Sequence, residues 1–128
     1  MLGDKTAVAT LAVKDMEAAK KFYEGTLGLS KEREMPQDSG VLYKSGGSSV
    51  FVYPSEFAGT NKATAVAWGV GNDLDKIVAD LKAKGVTFEQ FDNLPGVTRQ
   101  GDVHIMGDMR AVWFKDPDGN ILNLVNEM

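Results

Sequence analysis

The chain contains one histidine, His104, and no cysteine. Without cysteine there are no disulfides, no thiolate nucleophiles and no cysteine-based zinc or iron–sulfur sites. With one imidazole, a Ser-His-Asp triad would have to use His104, and a histidine-rich metal site cannot be assembled within one chain. Asp102 and Asp108 stand near His104 and could join it around a relocated metal, but a lone histidine on a loop is expected to be a surface or hydrogen-bonded group. His104 or Tyr53 could serve as acid or base in a metal-free reaction, yet no paired carboxylates and no second imidazole are visible to tune them.

Two further stretches carry residue types that do chemistry elsewhere. Asp116-Pro117-Asp118-Gly119-Asn120, with Glu127 beyond it, has the acids of a calcium loop. Its glycine stands fourth rather than sixth and strands flank it, so it reads as a β-turn connector. Gly69-Val70-Gly71 follows a strand and precedes a helix, but Leu74 replaces the third glycine of a dinucleotide fingerprint, and no Gly-Lys-Ser/Thr phosphate loop occurs.

The elements that must position these residues come from hydrophobic periodicity. Val8 to Val13 alternates as a strand; Met16, Ala19, Phe22, Tyr23 and Leu27 then recur at helical spacing, opened by Asp15 and closed by Gly28. The pattern returns with Ala65 to Val70 as a strand and Leu74, Ile77, Val78 and Leu81 on one helical face, opened by Asp73 and closed by Gly85. Both aspartates are placed to cap free first-turn amides, and both glycines suit the left-handed C-terminal position. Strands follow in the first half at Leu29 to Glu34, Val41 to Ser45 and Ser49 to Tyr53, the last two joined by Gly46-Gly47, which can supply the positive φ angles of a tight hairpin. In the second half the expected strands are Val86 to Phe91, a weakly patterned one around Val103 to Met106, Met109 to Phe114, and Ile121 to Val125.

The pattern implies an α+β fold in a single domain, with βαβββ written twice: module one over about 5–56 and module two over about 62–128. Each helix buries its apolar stripe on one face of a curved mixed sheet, which leaves the other face free to form a cup with the helices outside. Phe51 and Tyr53 alternate with Val50 and Val52. The β-branched pair packs naturally under the helices, so the rings either face the cup or are ordinary core. By the same alternation Trp68 points toward a helix, and Arg110 lies on the face opposite Ala111 and Trp113, where a surface or interface salt bridge is expected.

Composition bounds the partners. At 43% hydrophobic and 25% charged residues, with 4 prolines, the 128-residue chain is an ordinary globular one. Its formal net charge is −4 and no basic stretch could neutralise phosphates, so neither nucleic acid nor an anionic membrane is expected as a partner. No run reaches roughly 18 apolar residues and the N-terminus lacks a cleavage pattern, which makes a cytoplasmic protein the expectation.

The pairing of VKDMEAAKKFYEGTLGL at residues 13–29 with WFKDPDGNILNLV at residues 113–125, separated by the second βα unit, resembles the vicinal oxygen chelate superfamily. That superfamily contains glyoxalase I, extradiol dioxygenases, fosfomycin resistance enzymes and bleomycin resistance proteins. The resemblance covers nearly the whole chain, but the fold hosts unrelated chemistries. For enzyme members it implies a divalent metal in the cup. Counting back five residues from Val13 places the first-strand ligand at Val8, where metal-binding members carry His; the same count from Val70 gives Ala65, also in place of His. Seven residues after Asp116 stands Asn123, where the enzymes carry Glu. Two methyl groups and a neutral amide cannot grip such an ion, so no metal and no cofactor are expected.

What the cup would offer instead is space and aromatic surface. Thr10 and Ala12 share the face of Val8, and Ala67 that of Ala65. Trp113 stands three residues before Asp116, a position that points into the cavity of the similar fosfomycin resistance enzymes, and an indole suits a planar or cationic organic guest. The expected ligand-binding residues are therefore Trp113, Phe51, Tyr53, Thr10, Asn123 and His104, with no catalytic residue assigned. The expected function is metal-independent binding of a small aromatic or cationic organic molecule, as in the bleomycin resistance proteins; the acidic balance favours a cation. The alternative is a metal-dependent glyoxalase, lyase or dioxygenase-type enzyme with relocated ligands. The resemblance also implies a homodimer.

Overall fold

The computed structural model describes residues 1–127; Met128, the last residue of the expected second module, lies outside them. The chain divides into two compact units, one ending at Thr60 and the other beginning at Asn61. Both are α+β, and each is built on one mixed sheet.

In the first unit, β1 (Ala9–Val13) leads into α1 (Met16–Lys20), which continues as a π-helical turn over Lys21–Thr26. The strands β2 (Ser30–Glu34), β3 (Val41–Ser45) and β4 (Ser48–Pro54) follow, in the sheet order β1-β4-β3-β2 with only β1 and β4 parallel. Asp15 caps α1 as expected: extended at φ −115°, it accepts from the amides of Glu17 and Ala18 at 3.0 and 3.2 Å. Gly28 takes φ +75° and lets the Leu29 amide turn back to the Tyr23 carbonyl. In the Gly46-Gly47 hairpin only Gly46 uses a positive φ. Alternation sends Leu11, Val13, Val41, Tyr43, Val50 and Val52 to one face, where they are buried along with Ala19 and Tyr23. The Tyr23 and Tyr43 rings stack there at 6.1 Å, and the Tyr43 hydroxyl donates to Glu24 Oε2 at 2.8 Å. Burial, and then that carboxylate, push the phenol well above its ordinary range.

The second unit has β5 (Thr64–Gly69), α2 (Leu74–Ala83), β6 (Thr98–Gln100), β7 (Val103–Met106), β8 (Met109–Lys115) and β9 (Ile121–Val125), in the order β5-β9-β8-β7-β6 with β5 and β9 parallel. Val112, Phe114, Leu122 and Leu124 form its buried apolar face, and Leu74 and Leu81 of α2 are buried as well. The Asp116–Asn120 segment is the expected turn: Asp116 accepts from the amides of Asp118 and Asn120 and from the Asn120 side chain, all within 2.9 Å.

Several expectations are corrected here. Asp73 makes no side-chain cap, because a 3-10 turn over Gly71–Asp73 leads into α2 and leaves Asp73 in a turn conformation (φ −82°, ψ 0°) rather than the extended one a capping side chain needs. Val86 to Phe91 is not a strand. The Val86 amide closes the end of α2 on the Leu81 carbonyl, Phe88 makes one isolated bridge to Phe114, and the Glu89 amide donates to the Trp113 carbonyl. The β8 edge nearer Met109 belongs instead to β7, whose His104 pairs with Ala111, and β7 is extended by β6, a strand with no expectation behind it. Val8 lies outside β1 and is exposed. A register shift between Thr64 and Val66 breaks the alternation that placed Ala65 and Ala67 on one face. Trp68, expected in the core, is only half-buried.

Candidate functional site

Three of the expected ligand-binding residues come together in the second unit. Trp113 on β8 faces Asn123 on β9 in register, and Asn123 in turn faces Ala67 on β5. His104 on β7 pairs with Ala111, two residues from Trp113, so both side chains rise from the same side of the sheet. The His104 and Trp113 rings meet edge to face, centroids 4.9 Å apart at 88°. Phe91 completes the cluster, 5.5 Å from Trp113 and 5.6 Å from His104.

The polar atoms of this cluster are held tightly. Trp113 Nε1 donates to Thr64 Oγ1 at 3.1 Å, which fixes the indole plane. Asn123 is buried and donates to the Val112 carbonyl at 3.0 Å. His104, expected on a loop, is instead a strand residue only 2% exposed. Its Nε2 accepts the Phe91 amide at 2.9 Å, so the proton of the neutral ring sits on Nδ1, which is buried without a partner. That bond uses the amide Val86–Phe91 would have given to a strand ladder. The stretch from Phe91 to Val97 thus becomes a strap, secured at its far side by Arg99, which donates to Asp92 at 2.8 Å and to the Gly101 carbonyl at 2.6 Å. The Arg99 guanidinium holds the Asp92 carboxyl below the usual range.

Between strap and sheet lies a cavity of about 300 Å³. Phe91 and Leu94 line it from the strap, Thr64, Trp113 and Ile121 from the sheet, and Lys62 from the segment before β5. The volume is at the lower end for small-molecule sites. Of the described residues lining it only Lys62 is charged, so the overall acidic balance does not carry over to this wall. Phe91 and Leu94 are 37% and 39% exposed. A larger cleft of about 710 Å³ lies beyond α2, but Lys82 and Gln90 there already bind Asp102, at 2.6 and 3.0 Å, and hold its carboxyl below the usual range.

The other three expected residues lie together in the first unit. Phe51 and Tyr53 are half-buried and stack in parallel, 5.9 Å apart with a 2° interplanar angle, on the face opposite the buried Val50 and Val52. Thr10 pairs with Phe51 in register, is exposed, and donates to the Val8 carbonyl at 3.2 Å. The Phe51 ring lies over Gly40, where a Cβ would come within 2.5 Å of Cζ. Arg110 makes the expected surface pair, with Asp75 at 2.9 Å.

Phe91, Thr64, Leu94, Ile121 and Lys62 were not among the expected site residues. Phe91 was legible only as the end of a strand, and the Thr64 contact depends on the bulge in β5. The donor set for a divalent metal does not fit. Val8 and Ala65 are aliphatic, Asn123 offers only a neutral amide oxygen, and among the described residues no three His, Asp or Glu side chains gather as a metal group.

A family model described as the Glyoxalase/Bleomycin resistance protein/Dioxygenase superfamily matches residues 5–124. No curated protein matches the chain. Among solved structures, TnmS3, an antibiotic binding protein from Streptomyces sp. CB03234, is 23% identical with a TM-score of 0.62, covering 97% of this chain and 96% of its own. A glyoxalase/bleomycin resistance protein from the same organism is 23% identical with a TM-score of 0.58, over 94% of this chain and 98% of its own. The fosfomycin resistance protein FosX from Listeria monocytogenes is 16% identical with a TM-score of 0.69, over 100% of this chain and 94% of its own. At these identities the likeness is one of fold.

Proposed function

The chain belongs to the glyoxalase/bleomycin resistance protein/dioxygenase superfamily, and on that premise we propose that it binds a small planar aromatic molecule against Trp113 without a metal ion. The observation that carries this reading is the cavity itself: an indole fixed by Thr64, walled by Phe91, Leu94 and Ile121, with no carboxylate in its lining. Such a wall favours flat apolar surface, which an aromatic guest supplies through stacking and burial. Lys62 at the wall favours a neutral or anionic guest over the cationic one that net charge alone suggested. The likeness to a structure named as an antibiotic binding protein supports a sequestering role, and the unsuitable positions Val8, Ala65 and Asn123 speak against the metal-dependent alternative. Phe51, Tyr53 and Thr10 form a separate aromatic surface in the first unit, assigned the same class of guest.

The test is a thermal-shift screen of planar aromatic compounds, neutral and charged, with and without chelator, followed by Trp fluorescence in a Trp68→Phe background. Stabilisation that survives chelator, quenches the remaining indole and is lost in Trp113→Ala supports the proposal. Stabilisation only with added divalent metal, or thermal stabilisation unchanged in Trp113→Ala, overturns it.

A further inference from the structure

His104 is buried and touches two cavity residues, yet it contributes no surface to the cavity wall. Its Nε2 lone pair, by contrast, accepts the Phe91 amide and so ties the first residue of the strap to β7. We infer that His104 is a positioning residue and a proton-sensitive latch: neutral, it pins the Phe91 backbone so that the Phe91 ring stands against Trp113; protonated, it has no acceptor to offer and releases the strap.

The chemistry is that of the imidazole ring. The neutral ring offers one acceptor nitrogen, and the imidazolium offers none. A second proton on Nε2 would point at the Phe91 N–H, leaving two donors face to face in a buried place, which costs more than the bond was worth. The strap cannot accommodate this while Phe91 stays where it is. Nδ1, already protonated and without a partner, gives the ring no second lone pair to fall back on.

The charged groups facing His104 leave that balance to the hydrogen bond. Arg99 on β6 is its register partner but is neutralised by Asp92 of the strap. Asp92 is close enough to feel a charge on His104, though its carboxyl is governed first by Arg99. Asp102, beside β7, is engaged by Lys82 and Gln90. Glu89, preceding the strap, pairs with Lys115 of β8 at 3.2 Å, and Arg110 of β8 pairs with Asp75. Each acid that could stabilise an imidazolium already has its own cation. The latch is therefore closed while the ring is neutral and opens once Nε2 carries a proton.

For its ligand this inference rests on the binding proposed above; the latch itself does not. The probe is N-phenyl-1-naphthylamine, a neutral aromatic dye, titrated in chelator from about pH 8 to about pH 5. Wild-type protein is expected to lose affinity about tenfold on acidification, the equivalent of one hydrogen bond. His104→Gln, whose side-chain oxygen can accept the same amide but does not titrate, is expected to bind at both pH values alike, and His104→Leu weakly at both. In parallel, nitrogen-detected NMR is expected to place the neutral ring proton on Nδ1 and to show the Phe91 amide proton moving with His104 protonation. Flat wild-type binding, or a Gln variant as pH-sensitive as wild type, overturns the inference. If the dye binds at no pH, the proposed function fails while the latch is judged by NMR alone. A Phe91 amide indifferent to His104 protonation, or a ring proton on Nε2, then overturns it.

Discussion

The two units follow one plan and differ where the helix hands over to the sheet. In the first, β2 pairs along β3 from Ser30 to Glu34, with one register shift between Lys31 and Arg33, and the sheet carries the Phe51–Tyr53 stack. In the second, the same stretch pairs at Phe88 alone and then leaves the sheet as a strap over Trp113. An interrupted ladder costs backbone hydrogen bonds, but the freed segment gains a side-chain acceptor in His104 and encloses a cavity. The comparison teaches that one copy of a repeated module can enclose a cavity by giving up strand pairing.

The largest effect expected is in the two cores, where the cost follows the size of the buried side chain removed. Phe114→Ala in the second unit, at 0% exposure and touching Phe88, should destabilise by about 4 kcal/mol, against about 2 kcal/mol for the equally buried Val52→Ala in the first. Urea unfolding measures both, and equal values would contradict that dependence on size. Next is the turn closing the second unit: Asp116→Ala strips the acceptor of three hydrogen bonds and should cost about 2 kcal/mol in the same assay.

A smaller pair of substitutions sharpens the contrast between helix starts. Asp15→Ala should cost about 1 kcal/mol, and Asp73→Ala less than about 0.5 kcal/mol, because only the first side chain caps its helix. Similar costs would mean that Asp73 caps in solution. The smallest effect concerns acid. The Asp102 carboxyl is held down by Lys82 and then Gln90, so its stabilisation is present above the ordinary carboxylate range, near about pH 4, and fades as the pH falls through its lowered folded value. Asp102→Asn should lower Tm slightly at neutral pH and flatten the acid side of the Tm–pH curve; an unchanged curve would show that the pair contributes nothing.

The fold was legible because periodicity and punctuation agree. Val50 and Val52 inward with Phe51 and Tyr53 outward, Asp15 before its helix, Gly28 and Gly85 after theirs, and the Asp116–Asn120 turn can all be read from residue type and spacing. The strap was not legible, since VTFEQF has a strand's composition and nothing local says that the Phe91 amide will choose an imidazole over a carbonyl. The choice depends on His104 arriving from β7, and on β6, a three-residue strand of polar residues with no hydrophobic pattern to announce it. Thr64 was hidden for a similar reason: a bulge in β5 resets which residues share a face, and periodicity cannot count across it. Trp113, Asn123 and His104 were expected in the site and do gather, while Phe51, Tyr53 and Thr10 gather in the other unit.

The most direct measurement is a crystal structure of the chain grown in chelator and soaked with the tightest aromatic compound from the thermal screen. The account predicts that compound lying against the Trp113 indole beneath Phe91 and Leu94, with no ion in contact with it. A compound seated elsewhere, or one reached only through a metal held by the protein's side chains, would contradict it.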